Sequence, residues 1–153
     1  MRWLYFGFAV ALMSACGNAS PDYTVNFLGI WSGTSVLADA RSLTVLSTYP
    51  ATALISSTNT PNTVVVGGAC NLPANSLTLI SPTATATSAT EFNRTSSYVC
   101  PKARGSTCAD VVLTLTALGG TLNGSTLTIN LAITEDYCGL FGYFTIDFTG
   151  TRQ

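Results

Sequence analysis

From Phe27 onward, apolar and polar residues alternate one for one over most of the chain. The pattern is clearest over residues 110–117, where Val111, Leu113 and Leu115 oppose Thr114 and Thr116. Residues 125–134 repeat it, with Leu127, Ile129, Leu131 and Ile133 opposite Thr126, Thr128 and Asn130. In the last apolar stretch Phe144, Ile146 and Phe148 share one face. A period of two marks strands with one face buried, and no stretch carries the helical period. At the start, residues 27–38 put Leu28, Ile30, Ser32, Thr34 and Val36 on one face and Trp31 on the other. Residues 40–57 carry two apolar runs divided by Tyr49-Pro50. Proline cannot donate to a ladder, so this predicts one bent strand or two strands with a turn. Further strands are expected at 63–68, 76–80 and 83–100, the last interrupted near Glu91. Turn signals separate them at 59–62, 72–75, Ser81-Pro82, 101–107 and Asn123-Gly124, with a loop at 135–140. Gly119-Gly120 is expected to loosen its ribbon.

With the region around Pro50 counted once, the expectation is an all-β domain over residues 26–153. Its eight antiparallel strands follow one another as an up-and-down meander. A meander of this length can close into an eight-stranded barrel, and a β-sandwich is the alternative. Composition favours closure. Charged residues are 8% of the chain, against roughly 25% in ordinary domains, so few are at hand to guard an open sheet edge. Threonine fills the polar positions, with 24 Thr and 15 Ser. A β-branched hydroxyl residue suits the outer face of a sheet.

The first residues follow another pattern. Arg2 precedes an apolar run over 3–13, too short to cross a hydrocarbon core of about 30 Å as a helix. Met13-Ser14-Ala15-Cys16 follows and resembles the lipobox of bacterial lipoproteins. The resemblance implies a signal peptide over 1–15, a diacylglycerol on the Cys16 sulfur and a lipidated tether over 16–25. It places the protein in the bacterial cell envelope, held to the membrane through its lipid. Gly17, where an Asp often retains lipoproteins at the inner membrane, points to the outer one. The competing expectation is ordinary signal-peptide cleavage near Ala19.

Setting Cys16 aside leaves Cys70, Cys100, Cys108 and Cys138. An even number in an exported domain reads as two disulfides. There is no histidine and no CxxC spacing, so no zinc or other metal site is expected. In the meander Cys70 lies in the connection after the third strand, Cys100 and Cys108 flank the one after the fifth, and Cys138 lies in the one after the seventh. These connections share one end, which favours Cys70 with Cys100 and Cys108 with Cys138. A Cys100–Cys108 staple is the other possibility, and a strand break near Glu91 would separate Cys70 from the rest.

Gly29-Ile30-Trp31 on the first strand and Arg152 at the end of the last resemble the lipocalin-like barrels. In them a GxW and a terminal basic residue meet at the closed base. The resemblance implies a guanidinium of Arg152 over the Trp31 indole, capping that barrel end. It departs from those barrels in having no Thr-Asp-Tyr between the sixth and seventh strands. The span also resembles uncharacterised Thr-rich lipoproteins of soil bacteria, which implies no activity.

The chemistry on offer is narrow. Without histidine the usual general base and nucleophile arrangements are impossible. Paired carboxylates would have to come from Asp39, Glu91, Asp110, Glu135, Asp136 and Asp147, which fall singly or side by side in loops or on outward faces. Lys102 and Arg104 share a loop as solubilising charges, and no glycine motif cradles a phosphate. The net charge of −1 attracts no nucleic acid. The chain is therefore expected to be no enzyme and to need no cofactor. Two functions remain: a structural or interaction module meeting an envelope protein, or a barrel enclosing a small apolar ligand. The bulky inward candidates Leu113, Leu115, Leu127, Ile129, Leu131, Phe144, Ile146 and Phe148 favour a filled barrel and the structural role. An interior cavity of some 300 Å³ or more would favour the ligand. If Cys16 is acylated, Cys16→Ser moves the protein from the membrane to the soluble fraction on fractionation.

Overall fold

The computed structural model describes residues 21–68, 82–100, 112–137 and 139–153. A turn of 3-10 helix, Thr24–Asn26, leads into nine strands: β1 (Gly29–Asp39), β2 (Val45–Ser57), β3 (Thr63–Gly67), β4 (Thr83–Ala86), β5 (Glu91–Arg94), β6 (Tyr98–Cys100), β7 (Val112–Asn123), β8 (Thr126–Tyr137) and β9 (Leu140–Arg152). All pairings are antiparallel, in the order β5-β4-β3-β2-β1-β9-β8-β7-β6, and an added β5–β7 pairing closes the ring. The fold is thus an all-β, up-and-down meander that closes on itself like a barrel. β5 and β6 both pair with β7, at different heights, so nine strands fill eight places.

The eight places arise differently from the sequence expectation. β3 pairs directly with β4, so no strand stands between them; the expected strand at 76–80 lies outside the described residues. The expected strand over 83–100 is instead three strands. Thr87 N–H donates to the Glu91 carbonyl at 2.9 Å, turning the chain between β4 and β5. Arg94 then brackets the break between β5 and β6. Its guanidinium donates to the carbonyls of Ser96 at 2.8 Å, Ser97 at 3.2 Å and Thr83 at 2.9 Å. One charged fork satisfies three carbonyls that the interrupted ladder leaves open.

Other boundaries also shift. β2 runs unbroken through Pro50, with Ala51, Ala53 and Ile55 inward and Pro50 outward. The proline is tolerated because β3 reaches only to Leu54, so that beyond it β2 is paired with β1 alone among the described residues. The expected loop at 135–140 shrinks to two residues, since Tyr137 pairs with Leu140. β7 extends past Ala117 to Asn123 and turns through Gly124-Ser125 into β8. A bulge between Leu115 and Ala117 changes which residues face in. Leu115 is buried before it, and Leu118 and Gly120 after it.

The core fills the end of the barrel where β1 begins and β9 ends, here called the base. Phe27, Trp31, Ile55, Val64, Phe92, Leu118 and Leu127 are all fully buried there. Phe27 and Phe92 meet edge to face, centroids 5.1 Å apart at 89°, the favourable arrangement for aromatic quadrupoles. Phe92 lies where a side chain on Gly120 would be: a Cβ there would sit 2.1 Å from the ring. The opposite end, the mouth, carries the β1–β2 hairpin and the ends of β3, β6 and β8. The connections containing Cys70, Cys108 and Cys138 therefore leave the described strands at the mouth. Cys100, buried at the end of β6, is disulfide-bonded. Cys16, Cys70, Cys108 and Cys138 lie outside the described residues, and with them the expected pairing, Lys102, Arg104, Asp110 and the segment over 1–15. Among the described residues no helix is long and apolar enough to cross a membrane.

The two neighbouring glycines of β7 give an internal control on the base. Gly120→Ala should destabilise by about 1–3 kcal/mol through overpacking against Phe92, whereas Gly119, with open space at its Cβ, should tolerate alanine. Urea unfolding of the two variants checks the contrast.

Candidate functional site

At the base, the polypeptide before β1 folds beneath the barrel and is tied to it. Asp22 accepts from the backbone N–H groups of Thr24 at 3.0 Å and Asn62 at 3.3 Å, and these bonds hold its carboxyl below the ordinary carboxylate range. Tyr23 N–H donates to the Asn62 side chain at 2.8 Å. Asn62 itself is left-handed, with φ 54° in the β2–β3 turn, a conformation asparagine tolerates. Trp31 Nε1 donates to the Phe27 carbonyl at 2.8 Å, satisfying the one polar atom of a fully buried indole.

Arg152 closes this end from outside. Its guanidinium lies over the Trp31 ring, 4.8 Å from the centroid, and donates to the Asn26 carbonyl. Gly29 adopts φ +132°, and a Cβ there would touch the Arg152 stem at 3.7 Å. The Gly29-Ile30-Trp31 segment thus has a physical reading: glycine for the backbone angle, tryptophan for the core. The structure brings Trp31 and Arg152 together on adjacent strands, where they are register partners.

The mouth half is different, because its inward side chains are small on one wall. β1 offers Gly33 and Ser35, and β2 offers Ala51 and Ala53, beside the larger Ile146 and Phe148 of β9 and Ile129 and Leu131 of β8. Between them is a cavity of about 460 Å³, reached past Pro50, Thr52, Gly67 and Gly68 on the low β3 side. The barrel is filled at its base and, on the β7–β8 side, up to Leu115 and Ile133, but not beside β1 and β2. The bulky residues of β7, β8 and β9 suggested filling throughout, but the small residues of β1 and β2 decide the upper half. The signal was present in the alternating Ala51 and Ala53.

Among the described residues no charged side chain lines this cavity. Its inward polar side chains are the hydroxyls of Ser35 and Tyr49. Ser35 is almost fully buried and stands directly across the β1–β2 ladder from Tyr49. Burial pushes the Tyr49 phenol above its ordinary value of 10.0, and hydrogen bonding with Ser35 opposes that shift. The phenol is a neutral group at physiological pH, able to donate and accept.

The carboxylates serve the scaffold. Asp39 caps the β1–β2 hairpin, accepting from Arg41 N–H at 2.9 Å and from the Ser42 N–H and hydroxyl at 2.7 and 2.9 Å. Those bonds lower its pKa. Asp136 accepts from Gly139 N–H at 2.8 Å across the β8–β9 turn, and Asp147 accepts from Asn130 at 2.6 Å on the outer face. Glu91 is exposed, and Glu135 sits across from Gly142. Among the described residues no three His, Cys, Asp or Glu side chains gather as a metal site requires.

No family model matches the chain. No curated protein matches it in sequence.

The base contact is directly measurable. Arg152→Ala should lower unfolding stability by about 0.5–2 kcal/mol, the span of cation–π contacts from exposed to desolvated. Denaturant titration reads the difference, and an unchanged midpoint would mean that the guanidinium contributes nothing over the indole.

Proposed function

We propose that this chain is a lipid-anchored lipoprotein of the bacterial cell envelope whose barrel holds one small apolar ligand at its mouth. The observation that carries the ligand is the cavity. At about 460 Å³ it exceeds the roughly 300 Å³ at which small-molecule sites begin, and its walls are mostly apolar with a few placed hydroxyls. The anchor rests on the lipobox at Cys16. The described chain enters the barrel at its base, beside Trp31, so an anchored molecule would turn its mouth away from the membrane surface. A ligand would then enter from the aqueous side.

A second reading, a structural or interaction module of the envelope, draws support from apolar side chains left exposed at the mouth. Leu43 is 78% exposed on the β1–β2 hairpin, and Leu140 and Phe141 are 72% and 62% exposed at the start of β9. That reading predicts no ligand.

The test uses the full chain carrying Cys16→Ser, so that no acyl chain competes, and the neutral probe N-phenyl-1-naphthylamine. Saturable fluorescence enhancement at one site per chain is expected. Ala51→Phe, which fills the cavity from β2, should abolish it while leaving the circular dichroism spectrum and melting temperature in place. Absence of saturable binding to the unfilled protein would leave the interaction reading standing in its place.

A further inference from the structure

We propose that the ligand is an uncharged molecule with a hydrocarbon body and one oxygen function, a carbonyl or a hydroxyl, that meets the Ser35–Tyr49 pair. This rests on the cavity being the ligand site and says what chemistry that site selects.

Ser35 on β1 and Tyr49 on β2 are direct cross-strand partners, and both line the cavity. Phe148 of β9 is the next register partner of Ser35, and Ile129 of β8 follows it, so the row Tyr49, Ser35, Phe148, Ile129 runs along four adjacent strands. The lining therefore carries its paired hydroxyls on β2 and β1 and turns to hydrocarbon on β9 and β8. Apolar walls bind any hydrocarbon without preference for orientation. A few convergent polar groups fix which end goes where.

Among the described residues no cation lines the cavity, which weighs against the anionic alternative. A fatty-acid carboxylate buried here would give up its water for hydroxyl hydrogen bonds alone, and an ion without a counter-ion is costly to bury. The nearest cation along these strands, Arg41, is engaged elsewhere, its guanidinium 4.1 Å from the Tyr143 ring centroid on the outside of the mouth. Asp39, the nearest acid, is occupied by the backbone of its own hairpin. Neither lines the cavity, so an ammonium group finds no partner either. A neutral carbonyl accepts from the Tyr49 phenol, and a hydroxyl accepts from it while donating to Ser35. Both leave the pair satisfied and bring no charge.

The experiment is competition against bound N-phenyl-1-naphthylamine in the full chain carrying Cys16→Ser, with nonane, nonanone, nonanol and nonanoate at neutral pH. Nonanone and nonanol should displace the probe at concentrations about tenfold or more below nonanoate, because the carboxylate stays unpaired. Tyr49→Phe should retain the probe but weaken nonanone and nonanol by roughly three- to tenfold, the loss of one hydrogen bond, with nonane unchanged. Ser35→Ala should weaken nonanol more than nonanone. Nonanoate competing as well as nonanone would overturn the proposal. So would a ranking unchanged in both Tyr49→Phe and Ser35→Ala. Should the probe itself fail to bind the unsubstituted cavity, the fault lies with the ligand reading rather than with its chemistry.

Discussion

The closed base depends on the indole of Trp31. A fully buried indole N–H must find an acceptor, and here it is the Phe27 carbonyl. That bond commits the residues before β1 to pass under the barrel instead of away from it. Phe27 then reaches Phe92 on the far wall, and Gly120 yields the space that the second ring needs. The outer side of the indole is left to Arg152, which also binds the carbonyl of Asn26, 126 residues away in sequence. The segment before β1, β1 itself and the end of β9 are thereby joined at one point. Contacts of such sequence separation hold the ring closed, where hairpin contacts could only stabilise neighbouring pairs.

The mouth follows from inequality of strand length. β1, β2, β7, β8 and β9 have 11 to 13 residues, while β3 to β6 have three to five. The wall is tall on one side and low on the other, and the tall side includes the small inward residues of β1 and β2. A ring of equal strands with Leu and Ile throughout would fill to the top. Here Ser35, Ala51 and Ala53 leave volume beside Ile146 and Phe148, and among the described residues β3 does not wall it off.

Much of this was legible in the alternation. The long strands β7, β8 and β9 read directly, because each carries a strict two-residue period over at least eight residues, and Gly29-Ile30-Trp31 with Arg152 pointed at the base. What failed were positions where tertiary context overrides a local signal. Pro50 left one strand or two open, and the strand passes through it because, among the described residues, β3 does not reach its N. The stretch over 83–100 showed an interruption near Glu91 but not that the chain folds back there after Ala86, nor that Arg94 supplies by side chain what the ladder loses at a second break. The bulge after Leu115 is invisible in a sequence that keeps alternating, since only the partner strand shows the extra residue. The cavity was missed because bulk was weighed on the strands with large residues and not on those facing them. No charge or motif signals a void; only the sum of inward volumes around the ring does.

Access and edge exposure are one structural problem in such a fold. Lowering one wall opens the interior, and the same gap removes the neighbour of β2 above Leu54 among the described residues. An unpaired strand edge invites another chain to add to it. In β2 the residue outward at this height is Pro50, which has no N–H to offer and restricts what can pair beside it. The proline that interrupts the pattern in the sequence is thus compatible with the strand and useful at its edge. It lets the barrel keep an opening to the cavity while the base, built on Trp31, keeps the ring closed.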